Sequence, residues 1–461
     1  MKKIAFGVVG AAVVLGVGGL ATSYYVGGRI EQTMQEEIQK INAETQGMVH
    51  VEVLAYDRGV IRSQAKTNWV VSAEGDSVQF TLNHNILQGP WAMGKAAKIV
   101  SHIQFSEPVQ AQVMKAFKEQ EPLVWTAWGQ WSGASEHTLT SPAVSTTLKD
   151  DASITWGGMD AKWDLSADRT TNKGFLSMPE ISISDASEED SGSFSLKKTD
   201  ITFDATKPQS HQLWLGTSAL KIAEMTLEEK SKDFAAQLQD IRFQSTSSMQ
   251  GALVNMTTTS SIAKLQAPDL VLENIVFNND INNISAKWLD EFMAIASAHG
   301  DELESQLQAL HTSLPELLAN QPEISIPRFS FVTTDGPVEL SARAVYIGKT
   351  PFEYDLTNDM QAMIHLKIPQ KLVTNLLTSQ IKQRLAANSL MLDEDGNEDA
   401  ALLESEAQRL VNLQLQQILQ HGILQKNEDA YVAELETKEG KLLLNQKEIN
   451  PMQLLGIAGA F

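Results

Sequence analysis

A period-two pattern of apolar residues runs through the middle of this chain and limits what the chain can fold into. Apolar and polar residues alternate over Val49–Val53, over Val78–Ile86 and, with one interruption, over Phe194–Phe203. Successive side chains of a strand point to opposite faces, so this period indicates half-buried strands. Turn signals such as Gly157-Gly158 separate the alternating segments. We therefore predict an antiparallel β region over residues 48–282, with a helix inserted at Lys95–Glu119.

Residues 283–461 combine strands with helices. Apolar residues spaced by three or four predict a helix over Ser285–Leu318, broken at Gly300, and two more over Val373–Leu385 and Leu403–Leu419. The last two helices flank an acidic run with turn chemistry and form a predicted helical hairpin. The expected fold class is thus α+β and rich in β-structure, a long curved antiparallel sheet with helices packed on it in the C-terminal third.

The N-terminal segment predicts a membrane anchor. The run from Ile4 to Val26 carries no charge, and about 20 apolar residues suffice to cross a bilayer as a helix. Lys2 and Lys3 precede the run, which orients the N-terminus to the cytoplasm. We therefore expect a transmembrane helix over 1–28 and a juxtamembrane helix over 29–47. A cleaved signal peptide is the alternative, because Gly19-Leu20-Ala21 has small residues at offsets suited to cleavage.

Composition excludes several classes of function. The chain has 461 residues, with 36 Lys and Arg against 57 Asp and Glu, a net charge of −21. Nucleic-acid binding needs clustered basic surface, so a nucleic-acid partner is not expected. The chain has no cysteine, which excludes disulfides, thiol catalysis and thiolate metal sites.

Several short motifs occur in a recognisable order. Tyr56-Asp57-Arg58-Gly59 is followed by His84-Asn85-Ile86-Leu87-Gln88-Gly89-Pro90, and near the C-terminus by Asp429-Ala430-Tyr431 and Gly440-Lys441-Leu442-Leu443-Leu444-Asn445. In these motifs the chain resembles the YdgA/YihF-like family of bacterial envelope proteins, whose domain has no assigned function. The resemblance implies a single-pass protein of the bacterial inner membrane that faces the periplasm, and it implies no catalytic residue.

One acidic run could bind a metal. Asp393, Asp395 and Asp399 surround Gly396, and calcium prefers several oxygen ligands on a flexible turn. The alternative is a solvated acidic loop whose last carboxylates favour the N-terminus of the next helix. The nine histidines show no His-Glu-x-x-His pattern, and we find no nucleophile–base pair. We therefore predict no catalytic residue, no cofactor and no enzyme.

A cluster of tryptophans gives the remaining candidate site. Trp125, Trp128 and Trp131 lie close together in the β region. Aromatic residues suit strands and bury large areas, so core packing is one interpretation, and an apolar face for acyl chains is the other. We expect a non-enzymatic role in envelope interaction, assembly or structure, with a lipid-handling module as the alternative. The expected partners are the inner membrane through residues 4–26, an envelope protein or lipid, and a second copy of the chain.

Overall fold

The computed structural model describes residues 30–45, 48–59, 61–73, 76–147, 152–185, 191–229, 233–299, 313–348, 358–387 and 400–450. The chain divides into two compact units, one within residues 1–248 and 289–312 and the other within 249–288 and 313–461. In both units the described strands pair antiparallel, as the alternating sequence predicts.

The first unit is built mainly from strands. Its elements are α1 (Ile30–Glu44), β1 (Val49–Asp57), β2 (Arg62–Ala73), β3 (Asp76–Ala92), β4 (Lys95–Phe105), α2 (Glu107–Ala116), β5 (Val124–Gly129), β6 (Ser135–Ser141), β7 (Val144–Thr147), β8 (Ser153–Trp156), β9 (Met159–Leu165), β10 (Thr171–Asp185), β11 (Gly192–Thr206), β12 (Leu215–Glu229) and β13 (Phe234–Gln250).

With one exception, the strands of the first unit pair in the order in which they occur in the sequence. The pairing order is β1, β2, β3, β4, β5, β6, β9, β10, β11, β12 and β13. The hairpin β7–β8 does not separate β6 from β9, because β8 pairs with the far half of β10 while β9 pairs with the near half. Residues distant in sequence therefore become neighbours on β6 and β9.

Midway along strands β10–β13, the inward-pointing positions change from one parity to the other. Lys198 in β11 and Asp240 in β13 have positive φ angles of 51° and 50°. They share one row with Pro179 of β10, since the pairings on both sides of that row keep the same register. Thr199 is buried whereas Lys197 is exposed. The inward positions of β11 are therefore even-numbered before Lys198 and odd-numbered after it, which explains the interruption in the alternating pattern.

Helix α1 covers the beginning of the sheet. Its buried residue Ile41 packs with Val51 of β1 and Trp69 of β2. Met34, about two turns earlier on the same face of the helix, packs with Ile86 and other buried residues of β2–β5. This end of the first unit is a filled hydrophobic core.

The second unit combines a sheet with a helical hairpin. Its strands pair in the order β14, β15, β16, β17, β18, β20, β21 and β22, with β19 beside β20. The elements are β14 (Leu253–Ala267), β15 (Leu270–Ser285), α3 (Ala286–His299, which enters the first unit at Leu289), β16 (Glu323–Thr333), β17 (Gly336–Tyr346), β18 (Met360–Pro369), α4 (Gln370–Ala387), α5 (Ala400–Gln420), β19 (Gln425–Asn427), β20 (Ala430–Lys438), β21 (Lys441–Leu444) and β22 (Lys447–Ile449).

Helices α4 and α5 pack against each other and on their own sheet. Val373 and Leu377 of α4 are buried with Ala407 and Val411 of α5 and with Tyr431 of β20. The predicted pair of helices is confirmed, and its apolar stripe is covered within the second unit.

The structure corrects the predicted fold class and the predicted inner-membrane localisation. The anchor predicted over residues 4–26 lies outside the described residues. In the part of the chain that the structure describes, no helix is both long and apolar enough to cross a membrane. The longest of these helices, α5, carries Glu404, Glu406 and Arg409 and is amphipathic. The fold is an antiparallel β-sheet protein with helices packed on the sheet.

The predicted helix over Lys95–Glu119 is only partly present. Residues Lys95–Phe105 form strand β4, in which buried and less buried positions alternate from Ala97 onward. The helix is confined to α2, which begins at Glu107 with a proline in its first turn. Pairing with β3 and β5 on both sides overrides the helical propensity of the Ala96-Ala97 pair.

Candidate binding surface

One face of β10–β13 is apolar over most of its length. We call this surface the apolar face. Cross-strand partners point to the same side of a sheet, so the register assigns its members. They are Leu176, Met178, Ile181 and Ile183 on β10, Phe194, Leu196, Ile201 and Phe203 on β11, Leu220, Ile222, Met225 and Leu227 on β12, and Phe234, Ala236, Leu238, Ile241 and Phe243 on β13.

The opposite face of the same strands is polar and carries ion pairs. The Nζ atom of Lys197 donates to Glu224 Oε1 at 2.7 Å, and Lys173 Nζ donates to Asp204 Oδ2 at 2.7 Å. These contacts lower the pKa of Glu224 and raise the pKa of Lys173 and Lys197, chiefly through the hydrogen bonds. Lys173 and Lys197 are both exposed, so solvent reaches this face.

The apolar face is buried beside β9, at its covered end, and partly exposed at β13. Leu176 is buried and packs with Ala161 and Trp163 of β9. At the β13 end, Phe234 and Phe243 are each 39% exposed. Phe243 ends a continuous apolar row that begins at Leu176, and a half-exposed aromatic side chain in this position is typical of surfaces that bind apolar ligands or partners.

A stack of three aromatic rings adjoins the covered end. His137 of β6 lies between Trp125 of β5 and Trp163 of β9, with ring centroids 5.9 Å and 4.9 Å apart and planes inclined by 20° and 6°. Register places the stack on the same side of the sheet as the apolar face, because Trp163 pairs with Gly174 of β10. We call these three residues the aromatic stack.

The aromatic stack contains a neutral histidine. His137 is 0% exposed, and this burial lowers the pKa of its ring from 6.5 to about 4. Its Nε2 atom lies 2.9 Å from Ser135 Oγ. At neutral pH the ring therefore offers hydrogen bonds without a charge.

A second buried histidine lies closer to α1. The His84 Nδ1 atom is 2.7 Å from Ser101 Oγ, and its Nε2 atom is 2.9 Å from Thr67 Oγ1, which also accepts from Trp69 Nε1. Burial lowers the pKa of His84 to about 4. A serine next to a histidine is the pairing used in nucleophilic catalysis. Here the serine and the ring are 1% and 3% exposed, and both ring nitrogens already have hydrogen-bond partners, so the pair is not available to a substrate.

The three tryptophans singled out in the sequence do not form one site. Trp125 belongs to the aromatic stack. Trp128 points to the opposite face of β5, where Lys95 Nζ and Lys98 Nζ lie 5.1 Å and 4.7 Å from its ring centroid. Trp131 lies in the turn after β5, is exposed and donates from Nε1 to the Gly94 carbonyl.

The candidate metal ligands are not placed by the structure. Asp393, Asp395 and Asp399 lie outside the described residues. Within the described ranges, no group of three or more His, Asp or Glu side chains is arranged to hold a metal ion.

Sequence reasoning missed His137, Trp163 and the Ser101–His84 contact. Their signal was the alternation itself, because Ser135, His137 and Leu139 share one strand parity and all three are buried. The partners of these residues depend on the pairing of β6 with β9, which the sequence does not specify.

Comparison with known proteins places the chain in a family but gives no activity. Neither a curated protein nor a solved structure matches it. A family model described as bacterial protein of unknown function (DUF945) matches residues 1–452. Because the match covers nearly the whole chain, this protein belongs to DUF945, a bacterial family of unknown function.

Proposed function

We propose that this protein is a non-enzymatic lipid-binding protein that holds acyl chains on the apolar face. The observation that carries the proposal is the contrast between the two faces of β10–β13. The residues that define the apolar face are all uncharged and apolar, whereas Lys173, Lys197 and Glu224 form ion pairs on the other side. Ligand sites for apolar molecules are lined mostly by hydrophobic and aromatic side chains.

The dimensions of the apolar face suit an acyl chain. Each of β10, β11 and β12 has 15 residues, a length of about 50 Å at 3.3 Å per residue. The row through Lys198 divides this length into halves of about 25 Å. One acyl chain spans about 15 Å, half of the hydrocarbon core of a bilayer. Each half of the face is therefore long enough for one chain.

The side chains of the face favour lipid over a folded protein as the ligand. Interfaces between proteins combine an apolar centre with polar groups that form hydrogen bonds. Across β11 and β12 most inward positions are Leu, Ile, Phe or Met; the polar inward residues are Thr199 beside the row through Lys198, and Ser218 and Glu229 near the strand ends. Such a surface offers contact area but few directional groups, which suits a flexible hydrocarbon chain.

The proposal that the role is non-enzymatic rests on the burial of the serine–histidine contacts. Both serine–histidine contacts described above, Ser101–His84 and Ser135–His137, are buried, and both ring nitrogens of His84 have hydrogen-bond partners. We expect His84, Ser101 and Thr67 to stabilise the core rather than to react with a substrate.

Lipid binding by two variants, substituted at neighbouring residues, tests the proposed function. Phe243→Glu places a charge on the apolar face, and Gln244→Glu places the same charge on the opposite face of the same strand. Both residues are already exposed, so both variants should fold. We expect wild type and Gln244→Glu purified from bacteria to carry lipids that mass spectrometry detects, and Phe243→Glu to carry much less.

Two outcomes would contradict the proposal. Equal lipid content in wild type and Phe243→Glu would show that the apolar face does not hold the chains. Loss of an oligomer or a bound protein in Phe243→Glu, with no lipid in wild type, would assign the face to assembly. That second result would favour the interaction or structural role predicted from the sequence.

A further inference from the structure

Unpartnered buried polar atoms are concentrated on one side of the first unit. In the described part of the chain, buried side-chain nitrogen or oxygen atoms without a hydrogen-bond partner occur in six residues. One of the six, His102 Nδ1, lies 3.5 Å from Glu121 Oε2 and so has a charged neighbour. The other five are Trp125 Nε1, His137 Nδ1, Trp163 Nε1, Asn172 Oδ1 and Thr199 Oγ1.

These five atoms belong to one surface. Register places Trp163 beside His137, Asn172 beside Leu165, and Thr199 beside Met178, all on the side of the apolar face. Native proteins leave few buried polar groups unpaired, and each such group has a cost in stability. Three of the five lie together in the aromatic stack, on Trp125, His137 and Trp163, and we infer that a group from outside the chain completes their hydrogen bonds.

The chemistry of the aromatic stack limits what that group can be. An indole Nε1 can only donate, so Trp125 and Trp163 require an acceptor. The His137 ring is uncharged at neutral pH because its pKa is lowered to about 4. Removing an ionised carboxylate or phosphate from water costs far more than removing an uncharged polar group, and a few neutral donors offset little of that cost. An uncharged acceptor, such as the carbonyl oxygen of an ester, has a much smaller cost, which hydrogen bonds from the stack can offset.

We propose that the aromatic stack of Trp125, His137 and Trp163 binds the ester carbonyl of an uncharged acyl ester whose chain lies on the apolar face. This inference rests on the proposed function and deepens it by naming the chemical class of the lipid. The stack lies at the covered end of the apolar face, where the polar end of a bound lipid is shielded from water.

Gly174 and Phe203 lie where the apolar face, on which the acyl chain is proposed to bind, adjoins the aromatic stack. A Cβ atom at Gly174 would lie 2.5 Å from the Trp163 Cβ and 2.8 Å from Phe203 Cζ. The Phe203 ring therefore occupies the space above Gly174, next to Trp163. Rotation of this ring about its side-chain bonds opens that space to a ligand, since Phe203 is only half-buried.

The experiment compares two lipids that differ only in the carbonyl groups. The probes are dioleoylglycerol, which has ester links, and the corresponding dioleyl ether of glycerol. Binding to delipidated full-length protein is measured by competition with a fluorescent acyl probe. We expect wild type to bind the ester about tenfold more tightly than the ether, the effect of leaving buried donors unpaired.

The variants distinguish the contribution of the indole N–H groups to binding from that of the aromatic rings. Trp163→Phe and Trp125→Phe keep an aromatic ring and remove one donor each, and both should reduce the ester-to-ether ratio toward one. Trp156→Phe is the control, because its Nε1 already donates to Ser141 Oγ at 2.8 Å. The ratio for Trp156→Phe should equal that of wild type. Circular dichroism identifies any variant that fails to fold, and the ratio is then read from the other donor variant.

The outcomes distinguish this inference from the proposed function. Equal affinity for ester and ether would mean that only ordered water meets the stack, which overturns the inference and leaves acyl-chain binding intact. Ionised oleate binding as tightly as the ester would overturn the uncharged class. Failure of both glycerol lipids to bind would overturn the proposed function itself.

Discussion

Acidification from pH 7 to pH 5 should destabilise the first unit, because His84 and His137 are buried as neutral rings. Burial lowers the pKa of each ring from 6.5 to about 4 in the folded protein. The unfolded chain takes up a proton at each ring below pH 6.5, and the folded chain does so only near pH 4. The stability that depends on these rings is therefore complete above pH 6.5 and is lost as the pH falls toward 4.

The size of this effect follows from proton linkage. At pH 5 the unfolded rings are almost fully protonated and the folded rings almost fully neutral. The loss in the free energy of unfolding is then about 2 kcal/mol for each ring, or about 4 kcal/mol for both. Typical domains have only about 5–15 kcal/mol of stability. Carboxyl groups titrate mostly below pH 5, so the interval from pH 7 to pH 5 mainly reports histidine.

Urea unfolding followed by tryptophan fluorescence measures the effect. Eight of the nine tryptophans precede residue 249, so the signal reports mainly the first unit. We expect wild type to lose about 4 kcal/mol between pH 7 and pH 5, and His137→Phe to lose about 2 kcal/mol. His50→Gln removes an exposed ring and should behave as wild type. An equal loss in wild type and His137→Phe would refute the reasoning, because that ring would then not be buried and neutral.

Three further predictions concern packing and backbone conformation. Val411→Asp buries a carboxylate in the helical hairpin and should cost several kcal/mol in a thermal melt, whereas Leu413→Asp, at an exposed position of the same helix, should change stability by less than about 0.5 kcal/mol. Lys198→Val should lower stability by about 1–2 kcal/mol because a β-branched residue resists positive φ, and Lys198→Gly should not. Asn445→Ala removes the acceptor for Glu434 N–H and the donor to the Gly422 carbonyl, so urea unfolding should show a loss of about 2–3 kcal/mol, and an unchanged midpoint would contradict this role.

The strands could be predicted from the sequence because one face of each is buried. The alternation over Phe194–Phe203 predicts a strand, and its interruption marks the row through Lys198. The sequence could not explain that interruption. A positive φ is expected at glycine, asparagine or aspartate, and lysine gives no such signal. The change in parity of the inward positions occurs in all four paired strands at the same row. The neighbouring strands hold Lys198 in a conformation that lysine does not favour alone.

The helix predicted over Lys95–Glu119 shows the limit of local propensity. Alanine favours helices, and Ala96-Ala97 lies in a segment without glycine or proline until Pro108. In the structure both alanines are buried within β4, which has a strand on each side. Tertiary packing, which a single segment does not reveal, selects the strand.

The candidate site depends on strand order rather than on any motif. The spacing of Trp125, Trp128 and Trp131 singles out three neighbours in sequence, but strand parity sends Trp125 and Trp128 to opposite faces. The ring that completes the stack comes from Trp163, because β9 bypasses the β7–β8 hairpin to pair with β6. With β7–β8 inserted between β6 and β9, Trp163 would not meet His137 and no stack would form. The topology that extends the apolar face from β9 to β13 therefore also places the unpaired donors at its covered end.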